Sequence, residues 1–171
     1  MAGAKEFAFA GGPWSSRWAG SEGREKGVIR RLLPWHANVG KRLVKTPKIY
    51  FRDSGIFHSL LGIGSHADLL MHPKLAASWE GFALEQIIQA HRGEDAYFYV
   101  IHSGSELDLY FPSLGKGFGI KFRDAPKLSR SMHIAVEDLN LKELLVVYPG
   151  TREYPLGENI RAVPLAVACG V

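Results

Sequence analysis

The amino-acid sequence predicts an α/β domain in which helices flank a mixed sheet. A long apolar helix precedes three strand-like segments, and a further helix precedes two more strands, one of them a continuous apolar run. This order of helices and strands is typical of layered α/β folds. A continuous apolar strand is typical of one buried on both faces. The chain has 171 residues, 46% of them hydrophobic, which is enough for one domain with its own core.

The predicted domain spans residues 28–166. Residues 1–27 combine Gly, Ser and Ala with scattered aromatic residues and show no helical or strand period, so we expect an extension of doubtful order there. Residues 167–171 form a short tail. The single cysteine, Cys169, excludes a disulfide framework and favours a reducing cytoplasm, and no apolar run is long enough to cross a membrane.

The individual elements follow from caps, turns and periodicity. Asp53 or Ser54 is the expected cap of a helix that Gly62 ends. The longest helix is predicted from Pro73 to His91, because proline is favoured in a first turn and apolar side chains cover most of this helix. Further helices are predicted at residues 66–71 and 128–138, and strands at residues 48–51, 96–101, 106–111, 118–122, 144–148 and 161–167.

The predicted hairpin between residues 106 and 122 carries the side chains that could perform chemistry. Alternation along the strands predicts that Glu106, Asp108 and Tyr110 share one face, with Lys121 on the same face of the next strand. The predicted turn pairs Asp108 directly with Lys121. The opposite, apolar face is predicted to hold Leu107, Leu109, Phe111, Ile120 and Phe122.

Two interpretations of this grouping stay open. The acidic and basic side chains could form cross-strand ion pairs, each worth about 0.2–1 kcal/mol. Alternatively, they could form a hydrolytic site, because carboxylates supply the oxygen ligands that Mg²⁺ prefers and a lysine can orient water or stabilise developing charge. The sequence has no His-Glu-x-x-His zinc motif and no Gly-x-Ser-x-Gly nucleophile motif.

Charge is spread unevenly along the chain. Residues 1–52 contain 11 lysines and arginines against 3 acidic residues, a net charge of +8, whereas residues 53–171 contain 10 against 14. Such a basic segment is typical either of a surface that meets nucleic acid or of a solvated tail. If DNA is the partner, the expected phosphate contacts are Lys41, Arg42, Lys45 and Lys48.

Several segments resemble, in the same order, a signature found in a large family of predicted bacterial and archaeal ATPases of the AAA superfamily. Residues 45–55 read Lys-Thr-Pro-Lys-Ile-Tyr-Phe-Arg-Asp-Ser-Gly, and residues 79–82 read Trp-Glu-Gly-Phe. Residues 103–108 read Ser-Gly-Ser-Glu-Leu-Asp, which is similar to the family's Ser-Gly-x-Glu-Val-Asp. The resemblance covers residues 30–166, and it is to the C-terminal domain of unknown function of that family.

This resemblance implies a fold of the PD-(D/E)XK type, a restriction-endonuclease-like mixed sheet flanked by helices. Carried over residue by residue, Glu80 matches the acid on the leading helix, Asp108 the metal-binding aspartate, and Lys121 the lysine of the Glu-x-Lys motif. Gly119 stands where the family has the glutamate of that motif. Glu106 and Glu80 are the candidates to replace the missing ligand, so that Asp108, Glu80 and Glu106 would hold any metal ion.

The resemblance favours a nucleic-acid- or partner-binding module with degraded catalysis, because Mg²⁺ requires well-placed oxygen ligands and one is missing. One alternative is an active Mg²⁺-dependent DNA endonuclease, with Mg²⁺ as its cofactor. A second alternative is a protein-interaction fragment without a nucleic-acid role. The related proteins usually carry an ATPase module, yet this sequence contains no Gly-x-x-x-x-Gly-Lys-Ser/Thr motif, so we expect no ATP site in this chain.

Overall fold

The structure is a computed structural model that describes residues 27–36, 46–92, 95–101 and 106–171. The elements in these ranges are β1 Ile29–Pro34, β2 Lys48–Phe51, α1 Ser54–Leu60, α2 His66–Met71, α3 Leu75–Ala90, β3 Tyr97–Val100, β4 Glu106–Phe111, β5 Lys116–Ile120, α4 Arg130–Leu139, β6 Glu143–Tyr148, β7 Tyr154–Gly157, β8 Ile160–Pro164 and α5 Leu165–Ala168. Within these ranges no helix is both long and apolar enough to span a membrane.

The strands form one mixed sheet in the order β2-β1-β3-β4-β5-β6-β8-β7. The strands β3, β4 and β5 are antiparallel neighbours, whereas β5, β6 and β8 run parallel. An antiparallel strand closes each edge: β2 pairs with β1, and β7 pairs with β8. The prediction of an α/β fold with a mixed sheet is therefore confirmed.

Helices cover the sheet on both faces. Ala83, Leu84, Ile87 and Ile88 of α3 pack with one set of strand residues, which includes Leu145 and Val147 of β6, and α5 adds Ala168 to this cluster. Met132, Ala135 and Leu139 of α4 pack with a second set, which includes Leu144 and Val146 of the same strand. Successive residues of β6 thus point into different cores, as expected for a continuous apolar run buried on both faces.

The N-terminal part of the described chain follows its local signals closely. The strand at residues 48–51 and the helix at residues 66–71 have the predicted bounds. Asp53 caps α1, since its side chain accepts a hydrogen bond from the backbone N–H of Ile56 at 2.9 Å. Gly62 follows the helix with φ of 69°, a left-handed conformation that glycine adopts without strain.

The predicted register of the hairpin is wrong by two residues. The observed pairs are Leu109 with Phe118, Tyr110 with Gly117, and Phe111 with Lys116. Gly115 has φ of 64° and closes a tighter turn than predicted, so β5 begins at residue 116 rather than 118. Asp108 therefore lies level with Gly119 and not with Lys121. A shift of two residues leaves each side chain of β5 on the face that alternation assigned to it.

A β-bulge in β4 overturns the predicted face of Leu107. Tyr97 of β3 pairs with Tyr110, but Tyr99, two residues further on, pairs with Leu107, so β4 contains one extra residue between them. Leu107 and Tyr110 consequently pack in the α4 core, whereas Leu109 packs in the α3 core. The prediction that Leu109 and Phe111 share a face, with Tyr110 opposite, is confirmed, whereas the prediction that Leu107 shares the face of Leu109 is wrong because of the bulge.

Three further differences concern the interior strand β1, the edge strand β7 and the C-terminal end of the sheet. The strands β1 and β7 were not predicted, and the strand expected at residues 161–167 ends at Pro164, where α5 begins. The strand β1 escapes the usual alternation signal because it carries two consecutive arginines. The guanidinium group of the first, Arg30, donates a hydrogen bond to the carboxylate of Glu85 on α3.

The two glycines of β5 predict a contrast in stability. An added Cβ at Gly117 would lie 2.7 Å from Leu141 Cδ1 and 2.8 Å from Leu107 Cδ2, whereas a Cβ at Gly119 meets only Met132 Cε at 3.6 Å. We expect Gly117→Ala to lower the free energy of unfolding by about 1–3 kcal/mol, the usual cost of overpacking a core. Gly119→Ala is the matched control and should change it far less. Urea denaturation at pH 7 measures both, and equal losses would contradict the packing described here.

Candidate functional site

Side chains from four parts of the chain converge where β4 and β5 separate. The strand β2 lies next to β1 at one end of the sheet, and its alternation directs two side chains of the same face towards α3. The paired residues of β4 and β5 end at Leu109 with Phe118, so the two strands separate next to Asp108. The ion-paired cluster, as we define it, consists of Lys48 and Tyr50 from β2, Glu80 from α3, Glu106 and Asp108 from β4, and Lys121 directly after β5.

Lys48 is the centre of the ion-paired cluster. Its Nζ lies 2.6 Å from Glu106 Oε1 and 3.9 Å from Asp108 Oδ1, and it is 5.2 Å from the centroid of the Phe98 ring. Burial lowers the pKa of Lys48, but the negative charges of Asp108, Glu106 and Glu80 outweigh it, so the pKa is raised. Lys48 is therefore a fixed ammonium group between carboxylates.

Asp108 is held in the gap between two strands. Its side chain is 8% exposed, and Oδ2 accepts a hydrogen bond from the backbone N–H of Ile120 at 2.7 Å. The same oxygen lies 3.6 Å from Nζ of Lys121. Asp108 thus takes the place of the backbone carbonyl that a continued antiparallel ladder would have offered to the N–H of Ile120. Its contact with Lys121 makes that lysine part of the ion-paired cluster.

Glu80 and Tyr50 form the buried side of the ion-paired cluster. The Tyr50 hydroxyl donates a hydrogen bond to Glu80 Oε1 at 2.8 Å. Burial raises the pKa of Glu80, and the nearby charge of Asp108 raises it further, although Lys48 and Tyr50 act in the opposite direction. Burial and the charge of Glu80 also raise the pKa of Tyr50 far above its ordinary value, so that Tyr50 is a neutral donor throughout the physiological range.

The residues present do not fit a Mg²⁺ site in this arrangement. Within the ranges that the structure describes, no group of three His, Cys, Asp or Glu side chains is placed to hold a metal ion. Each carboxylate of the ion-paired cluster instead contacts a proton-bearing group: Lys48, Lys121, Tyr50 or the backbone N–H of Ile120. Two positive side chains offset the negative charge that a divalent ion would otherwise balance.

Gly119, where the resemblance to the nuclease pattern implies a glutamate, faces the other side of the sheet. The nearest atom to a Cβ built on Gly119 is Met132 Cε of α4, at 3.6 Å. Glu80 and Lys48, in contrast, lie on the side that α3 covers. A carboxyl side chain at residue 119 would therefore leave the backbone on the α4 side of the sheet, where it would contact the buried thioether of Met132.

Most of the predicted site residues lie together. Glu80, Glu106, Asp108 and Lys121 belong to the ion-paired cluster, and Lys48, predicted as a phosphate contact, lies at its centre. The other predicted phosphate contacts, Lys41, Arg42 and Lys45, lie outside the described residues. Tyr50 was missed, although its position two residues after Lys48 on a strand already indicates a shared face.

The raised pKa of Glu80 predicts a pH-dependent effect of Glu80→Gln. At a pH above the raised pKa of Glu80, the ionised carboxylate destabilises the folded state. This penalty disappears as the pH falls through the raised pKa towards 4.5, the ordinary pKa of a glutamate. Glu80→Gln keeps an acceptor for Tyr50 and removes the charge. We expect a higher free energy of unfolding than wild type at pH 8, with the gain vanishing near pH 4.5. Urea denaturation over this range checks it, and a loss at pH 8 would contradict the assigned direction.

Comparison with known proteins places the chain among relatives whose function is not described. Residues 24–67 match the sequence profile of a domain of unknown function, DUF8612, and residues 75–168 match that of a second one, DUF4143. Uncharacterised proteins of Mycobacterium tuberculosis and Mycobacterium bovis are each 47% identical over 139 residues. That match covers 80% of this chain and 32% of each relative, so the chain spans about one third of the curated relatives it matches. No solved structure matches the chain.

Proposed function

The chain belongs to the DUF4143 family, and from that premise we propose that residues 28–166 form a nucleic-acid-binding domain related to the PD-(D/E)XK nucleases that has lost metal-dependent catalysis. The mixed sheet with helices on both faces agrees with such a relationship. So does the convergence of Glu80, Asp108 and Lys121, the residues that match the nuclease pattern. The proposed location is the cytoplasm.

The single observation that carries the proposal is the position of the Lys48 ammonium group. It lies within 2.6 Å of Glu106 and 3.9 Å of Asp108, among the carboxylates that a nuclease would use for its metal ion. A cation supplied by the protein balances these charges without offering a bound water for hydrolysis. Together with Lys121 it offsets two of the three negative charges of the ion-paired cluster, which reduces the repulsion of a phosphate backbone, so binding of nucleic acid can outlast the loss of catalysis.

Nucleic acid is the proposed partner because of the charge distribution. The net charge of +8 over residues 1–52 is strong for a short segment, and it includes Lys41, Arg42 and Lys45. Lys48 belongs to the same basic run, but its ammonium group is engaged with Glu106 and Asp108. We therefore assign the phosphate contacts to the first three residues and a structural role to Lys48.

The ATPase connection is also a proposal. The mycobacterial relatives are about three times as long as the part that matches, because 139 residues are 32% of their length. The remaining two thirds could accommodate an AAA-type ATPase module, and the domain described here would then be its C-terminal nucleic-acid-binding part. The present sequence contains no P-loop motif, so that activity would have to come from elsewhere.

Fluorescence anisotropy with a labelled DNA oligonucleotide in EDTA tests the proposed function. We expect metal-independent binding whose affinity falls steeply with salt, and a smaller salt dependence when Lys41, Arg42 and Lys45 are all replaced by alanine. Absence of binding at low salt would overturn the proposal. It would favour instead a protein-interaction fragment without a nucleic-acid role.

One observation favours a second candidate function, an active Mg²⁺-dependent DNA endonuclease. Asp108 and Glu106 both raise the pKa of Glu80, and Asp108 lies 3.6 Å from Nζ of Lys121, so a rearrangement of Lys48 would leave three neighbouring carboxylates with a lysine beside Asp108. This candidate predicts nicking of supercoiled plasmid with Mg²⁺ or Mn²⁺ that Asp108→Asn abolishes.

A further inference from the structure

The loop between β5 and α4 carries a concentration of positive charge beside the ion-paired cluster. We define the basic loop as residues 121–130, that is, the connection together with the first residue of α4; it contains four basic residues against one acidic residue, Asp124. All four basic side chains are exposed, and three of them form no ion pair with any of the described residues: Arg123, Lys127 and Arg130. Their charge is therefore available to a partner.

An exposed group of aromatic rings adjoins the basic loop. Phe122 lies within the loop and Phe82 lies on α3, and each is 40% exposed. The ring centroid of each lies 6.3 Å from that of Trp79, which is half-buried against the core and lies between the two exposed rings. Large aromatic side chains that are exposed next to one another are unusual on the surface of soluble proteins and indicate a site where a ligand or partner binds.

This aromatic and basic surface is continuous with the ion-paired cluster. Lys121 at the start of the loop lies 3.6 Å from Asp108, and Trp79 directly precedes Glu80 on α3. A polyanion lying along the basic loop would thus pass beside the place where β4 and β5 separate. Repulsion from the carboxylates there is reduced because Lys48 and Lys121 offset their charge.

We propose that the basic loop together with Phe82 and Phe122 binds single-stranded nucleic acid, with Arg123 and Lys127 at phosphates and the two phenylalanine rings stacked on bases. The combination of a cationic track and exposed aromatic faces is what such binding requires. A duplex would present phosphates to the loop but would keep its bases stacked away from the rings. The inference rests on the proposed function and names its substrate class.

Anisotropy with a labelled thymidine oligonucleotide of about 15 nucleotides, in EDTA, tests this inference. Phe122→Ala and Phe82→Ala should each weaken binding by about tenfold, the effect of losing one base stack. Replacing both Arg123 and Lys127 by alanine should reduce the slope of log affinity against log salt by about 1.4, since each phosphate contact contributes about 0.7 for a single strand. Phe122→Leu, which keeps apolar packing, should behave like Phe122→Ala and excludes misfolding as the cause.

Matched controls lie on other surfaces of the domain. Leu60→Ala removes a side chain that is 69% exposed on α1, and Arg152→Ala removes an exposed charge near β7. Both should leave the affinity within about twofold of wild type, as expected for surface changes outside the site. A blunt duplex of the same length should bind more weakly than the single strand, and the phenylalanine variants should not change that weaker affinity.

The outcomes separate this inference from the proposed function. Tight binding of the oligonucleotide that none of the loop and phenylalanine variants weakens would overturn the inference, while the domain would still bind nucleic acid through another surface. Equal competition by polyglutamate and by the oligonucleotide would also overturn it, because charge alone would then explain binding. Absence of binding to either nucleic acid would overturn both the inference and the proposed function.

Discussion

Replacement of Lys48 by methionine is expected to lower the free energy of unfolding by about 2–3 kcal/mol at pH 7. Removal of one partner from a fully buried ion pair leaves an uncompensated charge and costs about 3–5 kcal/mol; the cost is smaller here because 24% of the Lys48 side chain and 41% of the Glu106 side chain are exposed. The substitution leaves both Glu106 and Asp108 without this positive charge, since both lie next to the ammonium group. Urea denaturation of wild type and variant provides the measurement.

The effect of Lys48→Met should depend on pH in a defined direction. Lys48 lowers the pKa of Glu80, so its removal raises that pKa further and lets Glu80 take up a proton more readily. The difference between wild type and variant should therefore be largest at pH 8 and shrink towards pH 5. Lys127→Met removes an exposed lysine as a control, and adding Glu106→Gln to Lys48→Met should restore part of the stability. A variant no less stable than the control would refute the central role of Lys48.

The second large effect is expected from the ion pair that joins β1 to α3. Arg30 donates two hydrogen bonds to Glu85, with Nη2 lying 2.7 Å from Oε1, and the Glu85 side chain is only 2% exposed. A bidentate pair of this kind is strong because both oxygens of the carboxylate are satisfied. Arg30→Met leaves the carboxylate buried without its cation, and we expect a loss of about 3–5 kcal/mol in the free energy of unfolding.

The double variant Arg30→Met with Glu85→Met supplies the matched comparison for this pair. Replacing both partners by apolar side chains removes the unpaired charge, and such replacements are often neutral or stabilising. The double variant should therefore be more stable than Arg30→Met alone in the same denaturation experiment. If the single variant were the more stable of the two, the buried pair would not be the attachment of β1 to α3.

Local signals were sufficient to predict much of the fold. Asp53 provides a side-chain cap and Gly62 a left-handed exit, and these short-range interactions fix α1 without reference to the rest of the chain. The bounds of β4 also follow from its own sequence. The strand β1, in contrast, depends on a contact between Arg30 and Glu85, which are 55 residues apart in sequence, and periodicity cannot reveal such a contact.

The candidate site was predictable in composition but not in geometry. Glu106, Asp108 and Lys121 do lie together, yet the reason differs from the predicted cross-strand pairing. A tighter turn at Gly115 moves the register of β4 and β5 by two residues. The bulge before Tyr110 places Leu107 on the opposite face of the sheet from the predicted one. Both depend on backbone conformations that a strand pattern does not encode, since alternation assumes an uninterrupted ladder.

The role of Lys48 could not be predicted because it depends on tertiary packing. In the sequence Lys48 belongs to a basic run, and a run of that kind suggests contact with phosphates. The sheet brings β2 close enough to β4 for the side chain to meet Glu106 and Asp108, residues 58 and 60 positions away. A solvent-facing lysine and the internal counterion of a carboxylate cluster have the same local sequence.

The ion-paired cluster is expected to bind no catalytic metal ion, because Lys48 and Lys121 already offset two of its three negative charges. Incubation of supercoiled plasmid with the protein, with Mg²⁺ or Mn²⁺ and with EDTA as the blank, tests it most directly. Asp108→Asn is the matched variant, because it keeps an acceptor for the backbone N–H of Ile120. We predict no metal-dependent nicking by either protein. Metal-dependent nicking by wild type that Asp108→Asn abolishes would contradict the claim and assign endonuclease activity to the domain.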